Sequence, residues 1–256
     1  MHKDKLPTFI TALILICSLS LVWSNEVHAA DQKVFVLCYH SFLGNKRFAG
    51  DVSIQELRAQ IDFFQNKGFH FVSFADIVHN AVTGSLNILI VIDDGNESVY
   101  HVYNEIFKPR HIKPILAIYP SIIGKKSYAL TWEQLKELSQ GGCDIASHGY
   151  YHLHLNQKLY EQDRSAFTKE IYLSKEVLEK KLNRKVSIFV YPNGVRSDIT
   201  KKTLMEAGYI CAFTIQWGTL LSPIKMNKDP YELPRYMIYQ NNWGMISNSI
   251  IKASAK

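Results

Sequence analysis

The sequence predicts an α/β protein built as a closed or nearly closed parallel β/α barrel in a single domain. Three observations predict it. Short apolar runs rich in β-branched residues alternate with amphipathic helical stretches, the runs lack the strict polar alternation of half-exposed strands, and no linker, repeat or low-complexity tract divides them. Seven or eight such units in roughly 220 residues suit a barrel better than an open doubly wound sheet. No G-x-G-x-x-G follows a strand, so a dinucleotide-binding fold lacks its fingerprint.

In chain order, residues 1–5 (MHKDK) are short and basic, and 6–23 are almost wholly apolar. SNEVHAAD then supplies the small residues of an A-x-A-like cleavage site, with Val27 and Ala29 at the key positions. Residues 1–29 are therefore predicted to be a signal peptide and 30–256 the domain proper. The alternative is an uncleaved anchor with membrane association, because about 18 apolar residues can just span a bilayer. Either way the domain is expected to be exported, whether secreted, periplasmic or associated with the cell envelope. Ile16 precedes Cys17 where a lipoprotein signal needs a small residue, which argues against lipidation.

Within the domain, 33–39 (KVFVLCY) reads as a buried strand. Ile54, Leu57, Ile61 and Phe64 then mark one face of a helix that ends at Gly68. Further strands are predicted at 70–73, 87–92, 114–119, 143–147, 186–191, 209–215 and 233–238. Helices are predicted near 99–107, 132–139, 163–182, 198–206 and 243–253.

Composition excludes several classes. A hydrophobic fraction of 47% with only 13 Gly and 8 Pro is that of a globular chain, neither disordered nor collagen-like. The formal charge is +6, and since 1–29 carries two Lys and two acids, that excess belongs to the domain. Its basic residues are scattered without an aromatic-interleaved stripe, so a nucleic-acid partner is not expected. Cys38, Cys143 and Cys211 each lie in an apolar, strand-like run and read as buried thiols rather than a disulfide framework.

A barrel places its chemistry at the C-terminal ends of its strands. Four ends carry polar residues: NILIVI leads to Asp93-Asp94-Gly95, CDIAS to His148 with His152 four residues on, the first strand to Tyr39-His40, and VSIFVY to Pro192-Asn193-Gly194. A spacing of four brings two imidazoles to one side of a helical turn, as a metal needs from one segment. His154 is a substitute ligand at a poorer spacing. Asp93-Asp94 is the chain's one Asp-Asp pair, and burying adjacent carboxylates is expensive unless a cation offsets them. At a strand end one carboxylate can bind metal while the other handles a proton, which is a hydrolytic design; a plain Asp-Asp-Gly turn is the competing reading.

These segments carry a family resemblance. VIDDGNESVYHVYNEIFKPRHIKPILAIYPSIIG resembles the first motif and following β/α unit of polysaccharide deacetylases (carbohydrate esterase family 4, the NodB homology domain), usually T-F-D-D-G. GGCDIASHGYYHLHL resembles their second motif, EIYLSKEVLEKKLNRKVSIFVYPNG the approach to the third, and LMEAGYICAFTI with DPYELPRYMI the closing strands. The motifs come in order over about residues 34–240. The resemblance implies a distorted (β/α)7-type barrel, a divalent metal held by Asp94, His148 and His152, and Asp93 as general base. Zinc is the first choice of metal, with nickel, cobalt and manganese as alternatives. The usual C-terminal catalytic histidine is missing; the subgroup resembling poly-β-1,6-N-acetylglucosamine deacetylases places its equivalent on the first strand, which implies His40 as acid. The third motif departs from R-x-P-Y, with Val190 and Asn193 in place of Arg and Tyr. The base-orienting Arg is thus vacant, Arg235 is a candidate for its task, and the Asn193 backbone N–H remains available to an oxyanion.

The implied substrate is an N-acetylglucosamine-containing polysaccharide, whether poly-β-1,6-N-acetylglucosamine, peptidoglycan or chitin-like oligomers. Trp217, Tyr150 and Tyr151 are candidates for a sugar-stacking platform. The rival readings are a catalytically inactive carbohydrate-binding module on the same fold, suggested by the altered third motif, and a metal-dependent hydrolase of other bonds such as a phosphoesterase. The sequence is silent on oligomeric state.

Overall fold

The computed structural model describes residues 32–255; the predicted signal segment and Cys17 lie outside them. β1 (Gln32–Tyr39) is followed by α1 (Ile54–Asn66), which starts where Ser53 and Glu56 form a reciprocal capping box. Next come β2 (His70–Phe71), α2 (Phe74–Val78), β3 (Asn87–Asp94) and α3 (Ser98–Val102). α3 runs on through a π-turn, Tyr103–Phe107, to β4 (Ile115–Ile118), α4 (Trp132–Gln140) and β5 (Asp144–Ser147). α5 (Gln157–Gln162) and α6 (Arg164–Thr168) lead through a second π-turn, Lys169–Leu173, into α7 (Ser174–Leu182). The chain closes with β6 (Ile188–Val190), α8 (Asp198–Glu206), β7 (Cys211–Phe213), β8 (Leu220–Ser222), β9 (Tyr236–Met237) and α9 (Trp243–Ser254).

The strands lie in the order β7-β6-β5-β4-β3-β1-β8, parallel from β7 to β1, with β2 on the start of β3 and β9 on the end of β1. β8 is antiparallel, pairing Ser222 with Gln32, and was not foreseen. Leu233 bridges to Phe213 while Tyr236 and Met237 pair with Leu37 and Cys38, so one segment spans from β7 to β1 and curls the sheet towards closure. The predicted strand 233–238 is this segment, reduced to a two-residue ladder. This is the expected distorted (β/α)7-type barrel.

Alternation within each strand sorts two cores. Val34, Val36, Leu89, Val91, Ala117 and Ala146 pack inside the curl, while Phe35, Leu37, Ile88, Ile90 and Leu116 pack outward against the helices. Both faces are dry, and each buried Val, Leu or Ile contributes about 1.5–3 kcal/mol. The same parity carried to the strand ends puts Cys38, His40, Asp93 and His148 on the inner face. All three described cysteines are free and buried, as expected. Among the described residues no helix is long and apolar enough to cross a membrane.

Candidate active site

The register brings the strand ends to one level. Asp94 lies opposite Ile118, and Ile118 opposite Ser147, so His148 stands one residue above Asp94. Asp94 has the outward parity, but its φ of 74° turns it at the end of the strand. Its Oδ1 then lies 3.6 Å from His148 Nε2 and 3.6 Å from His152 Nε2, and the two imidazole nitrogens are 3.2 Å apart. His40, Asp93, Asn193 and Arg235 line the same cleft, whose volume is about 270 Å³, with Phe48, Tyr191 and Tyr239 as its aromatic walls.

The two histidines do not share a helical turn as their spacing suggested. Residues 148–155 form a loop, in which Gly149 (φ 76°) and His152 (φ 66°) take left-handed conformations that reverse the chain and return His152 to His148. His154 stands outside this three-residue cluster. Trp217 packs on Tyr236, and Tyr150 on Tyr151, but none of these three platform candidates lines the cleft.

The donor set fits a metal ion. His148 Nδ1 is 2.7 Å from the Val190 carbonyl, which can only accept, so Nδ1 carries the proton and Nε2 presents a lone pair to the cleft. A main-chain carbonyl of this kind is a usual partner of a metal-binding imidazole. Burial pushes the His148 imidazole down to about 3, lowers His152 as well, and pushes the Asp94 carboxyl up to about 6. One carboxylate oxygen and two imidazole nitrogens converging in this way suit zinc or a neighbouring divalent transition metal. Binding requires Asp94 to be deprotonated, so its proton competes with metal below about pH 6, whereas that of His148 does not until about pH 3. Zinc affinity, followed by competition titration, is expected to fall by about tenfold or more per pH unit below about pH 6, as Asp94 and then the histidines take up protons. An affinity unchanged down to about pH 4.5 would contradict this.

Asp93 is in a different environment from its neighbour. It is 2% exposed, and Arg235, fully buried, donates from Nη1 to Asp93 Oδ1 at 2.8 Å. Burial raises the Asp93 carboxyl, but Arg235, His148 and His40 together outweigh it, Arg235 most of all, and hold it well below the usual carboxylate range. Arg235 Nε is fixed by the Thr214 carbonyl at 2.8 Å, and its Nη1 also meets Cys38 Sγ at 3.2 Å. Burial pushes the Cys38 thiol well up, so it remains a neutral neighbour of the pair. Arg235, the residue just before β9, is thus the guanidinium that reaches Asp93, while Val190 brings none from β6.

His40 closes the cleft from the end of β1. Its ring meets Phe48 edge-on at 5.4 Å, and its Nδ1 is buried without a protein partner among the described residues. The loop carrying Phe48 is built on Asp51, whose carboxylate accepts from Ser41 Oγ and from the N–H groups of Leu43, Asn45 and Lys46. Asn193, at φ 54°, faces the cleft from the turn after β6.

A family model for polysaccharide deacetylase matches residues 81–212. The chain belongs to the polysaccharide deacetylase family. Within that family it is 26% identical over 190 residues to the putative polysaccharide deacetylase YxkH of Bacillus subtilis, a match covering 73% of this chain and 66% of that relative, so just under two thirds of the relative is spanned. The fold is similar to that of IcaB from Ammonifex degensii (TM-score 0.75, 22% identity, 86% of this chain and 97% of that one). It is also similar to the Streptococcus pyogenes deacetylase PplD, solved in complex with acetate (TM-score 0.72, 21% identity, 86% and 99%). In this polysaccharide deacetylase family member, one buried residue beside the motifs escaped the sequence reading. Glu170 is fully buried against the His148–His152 loop. Its signal lies on the predicted helix 163–182, where Glu170 and Ser174 interrupt the stripe made by Phe167, Ile171 and Leu178.

Proposed function

We propose that this protein is a metal-dependent polysaccharide N-deacetylase that releases acetate from N-acetylglucosamine units. The observation that carries the reading is the pairing, in one cleft, of the Asp94–His148–His152 donor cluster with a second carboxylate, Asp93, held ionised and oriented by Arg235. A divalent ion bound by Asp94, His148 and His152 would polarise the acetyl carbonyl and acidify water.

The remaining work falls to the chain. Asp93 Oδ1 is engaged by Arg235, which leaves Oδ2, 3.8 Å from His148 Nε2, to accept the proton of the attacking water. Water oxygen bonds to the acetyl carbon, and the Asn193 main-chain N–H is assigned to the oxyanion that develops. His40, with a ring nitrogen within 4.8 Å of an Asp93 carboxylate oxygen, donates a proton to the departing nitrogen as the carbon–nitrogen bond breaks. Acetate and a free sugar amine result. Phe48, Tyr191 and Tyr239 offer apolar faces to a pyranose ring. The position of His40 directly after β1 favours poly-β-1,6-N-acetylglucosamine as substrate, ahead of peptidoglycan and chitin-like chains.

Acetate release from β-1,6- and β-1,4-linked N-acetylglucosamine oligomers, before and after chelation and zinc restoration, tests the reading. Chelator-sensitive release, restored by zinc and absent in His148→Ala together with its bound metal, is expected. Metal-loaded wild-type protein that releases no acetate from either polymer would overturn it. The N-terminal segment carries the further proposal of export, with the mature chain starting at Ala30; N-terminal sequencing of protein from fractionated cells tests it, and retention of Leu6 to Trp23 would point to a membrane anchor instead.

A further inference from the structure

The catalytic assignments leave one buried anion without a task. Glu170 is fully buried and sits in the π-turn Lys169–Leu173, with no cationic side chain bonded to it among the described residues. Its partners are main-chain donors of the loop after β5: Tyr150 N–H gives to Oε2 at 3.0 Å, Tyr151 N–H to Oε1 at 2.8 Å, and Leu153 N–H to Oε2 at 3.1 Å. One carboxylate thus gathers the amides on both sides of His152.

The same turn grips the strand end before His148. Ser174 Oγ lies 2.6 Å from the Glu170 carbonyl oxygen and 2.7 Å from Ser147 Oγ. A π-turn widens the helix by one residue and is frequent at functional sites; here it lets Glu170 and Ser174 both face β5. The loop is shaped for this anion. At Gly149 a Cβ would overlap Glu170 Oε2, and the φ of 76° there is one that side chains rarely adopt. His152 itself is held at φ 66°, a conformation costing a non-glycine residue about 1 kcal/mol or more unless its surroundings enforce it.

The geometry points to Glu170 as the positioning residue of the metal centre: its carboxylate folds residues 149–153 into the one loop that returns His152 to Asp94 and His148. The inference rests on the metal reading of that cluster. A residue that merely stabilised the barrel would lower the melting temperature and leave metal affinity of the folded protein intact. Glu170 acts on His152, so its loss shows in the affinity itself.

Zinc affinity, measured by competition with a chromophoric chelator, is the test. Glu170→Gln keeps the shape but turns an NH2 group towards N–H donors, and is expected to weaken zinc binding about 10- to 100-fold. In a His152→Ala background the same change should cost less than about twofold, because the ligand it positions is already gone. The cobalt-loaded spectrum of Glu170→Gln should shift towards that of His152→Ala. Should Glu170→Gln not fold, Gly149→Ala displaces the carboxylate from the other side and is expected to show the same loss. Wild-type affinity in whichever variant folds, or losses that multiply in the double variant, would overturn the proposal. Wild-type protein that binds no zinc would instead overturn the metal reading, and the proposal with it.

Discussion

Asp93→Asn is expected to lower kcat for deacetylation by about 10²–10⁴-fold, the usual contribution of a general base, while zinc affinity stays within about threefold of wild type. The split follows from the geometry. Asp94, not Asp93, faces both imidazole nitrogens at 3.6 Å, whereas Asp93 gives one oxygen to Arg235 and keeps the other for a proton. The amide is isosteric and can still accept from Arg235, so the cleft keeps its shape and loses its base. Parallel measurement of acetate release and zinc competition checks the split. Equal loss of metal and turnover would move Asp93 into the ligand set, and undiminished turnover would remove it from the reaction.

Arg235→Met is expected to destabilise the fold by about 3–5 kcal/mol, the cost of removing one partner of a buried ion pair, and to abolish turnover as well. Both members are almost wholly dry, with side-chain exposures of 0% and 2%, so Asp93 left alone is an uncompensated buried charge. Its carboxyl then rises, since burial acts unopposed by the guanidinium. Adding Asp93→Asn to Arg235→Met removes that charge and is expected to recover about half of the lost stability, with turnover still absent. Denaturant unfolding of the two single variants and the double variant decides it. A double variant no more stable than Arg235→Met would show that the guanidinium matters through its bonds to Thr214 and Cys38 rather than through Asp93.

The two predictions also mark where sequence reasoning reached and where it stopped. Strands such as NILIVI and VSIFVY were legible because a parallel sheet dry on both faces needs unbroken apolar runs. Asp93, Asp94 and His148 were legible as polar residues at the ends of those runs, and the barrel rule told which ends to inspect. β8 escaped because three residues carry no period, and α2 because a five-residue helix shows little more than its cap. The spacing of His148 and His152 pointed to two histidines that do come together, but not on a helical turn: the loop that joins them is bonded to Glu170, 18 residues beyond His152, and contacts of that range leave no mark in local pattern. Arg235 could be nominated from the vacancy at Val190, but its bond to Asp93 spans 142 positions and needs the curled sheet to exist.

That span sets an order of events for a chain made from its N-terminus. Asp93, Asp94, His148 and His152 are all present in the growing polypeptide well before Arg235, so the three donors can meet while the base still lacks its guanidinium. Only when the late stretch from Leu233 to Met237 threads between β7 and β1 does Asp93 meet the guanidinium that orients it. On the proposed mechanism the base is therefore completed late, after the donor cluster, rather than in proportion to the length of chain made.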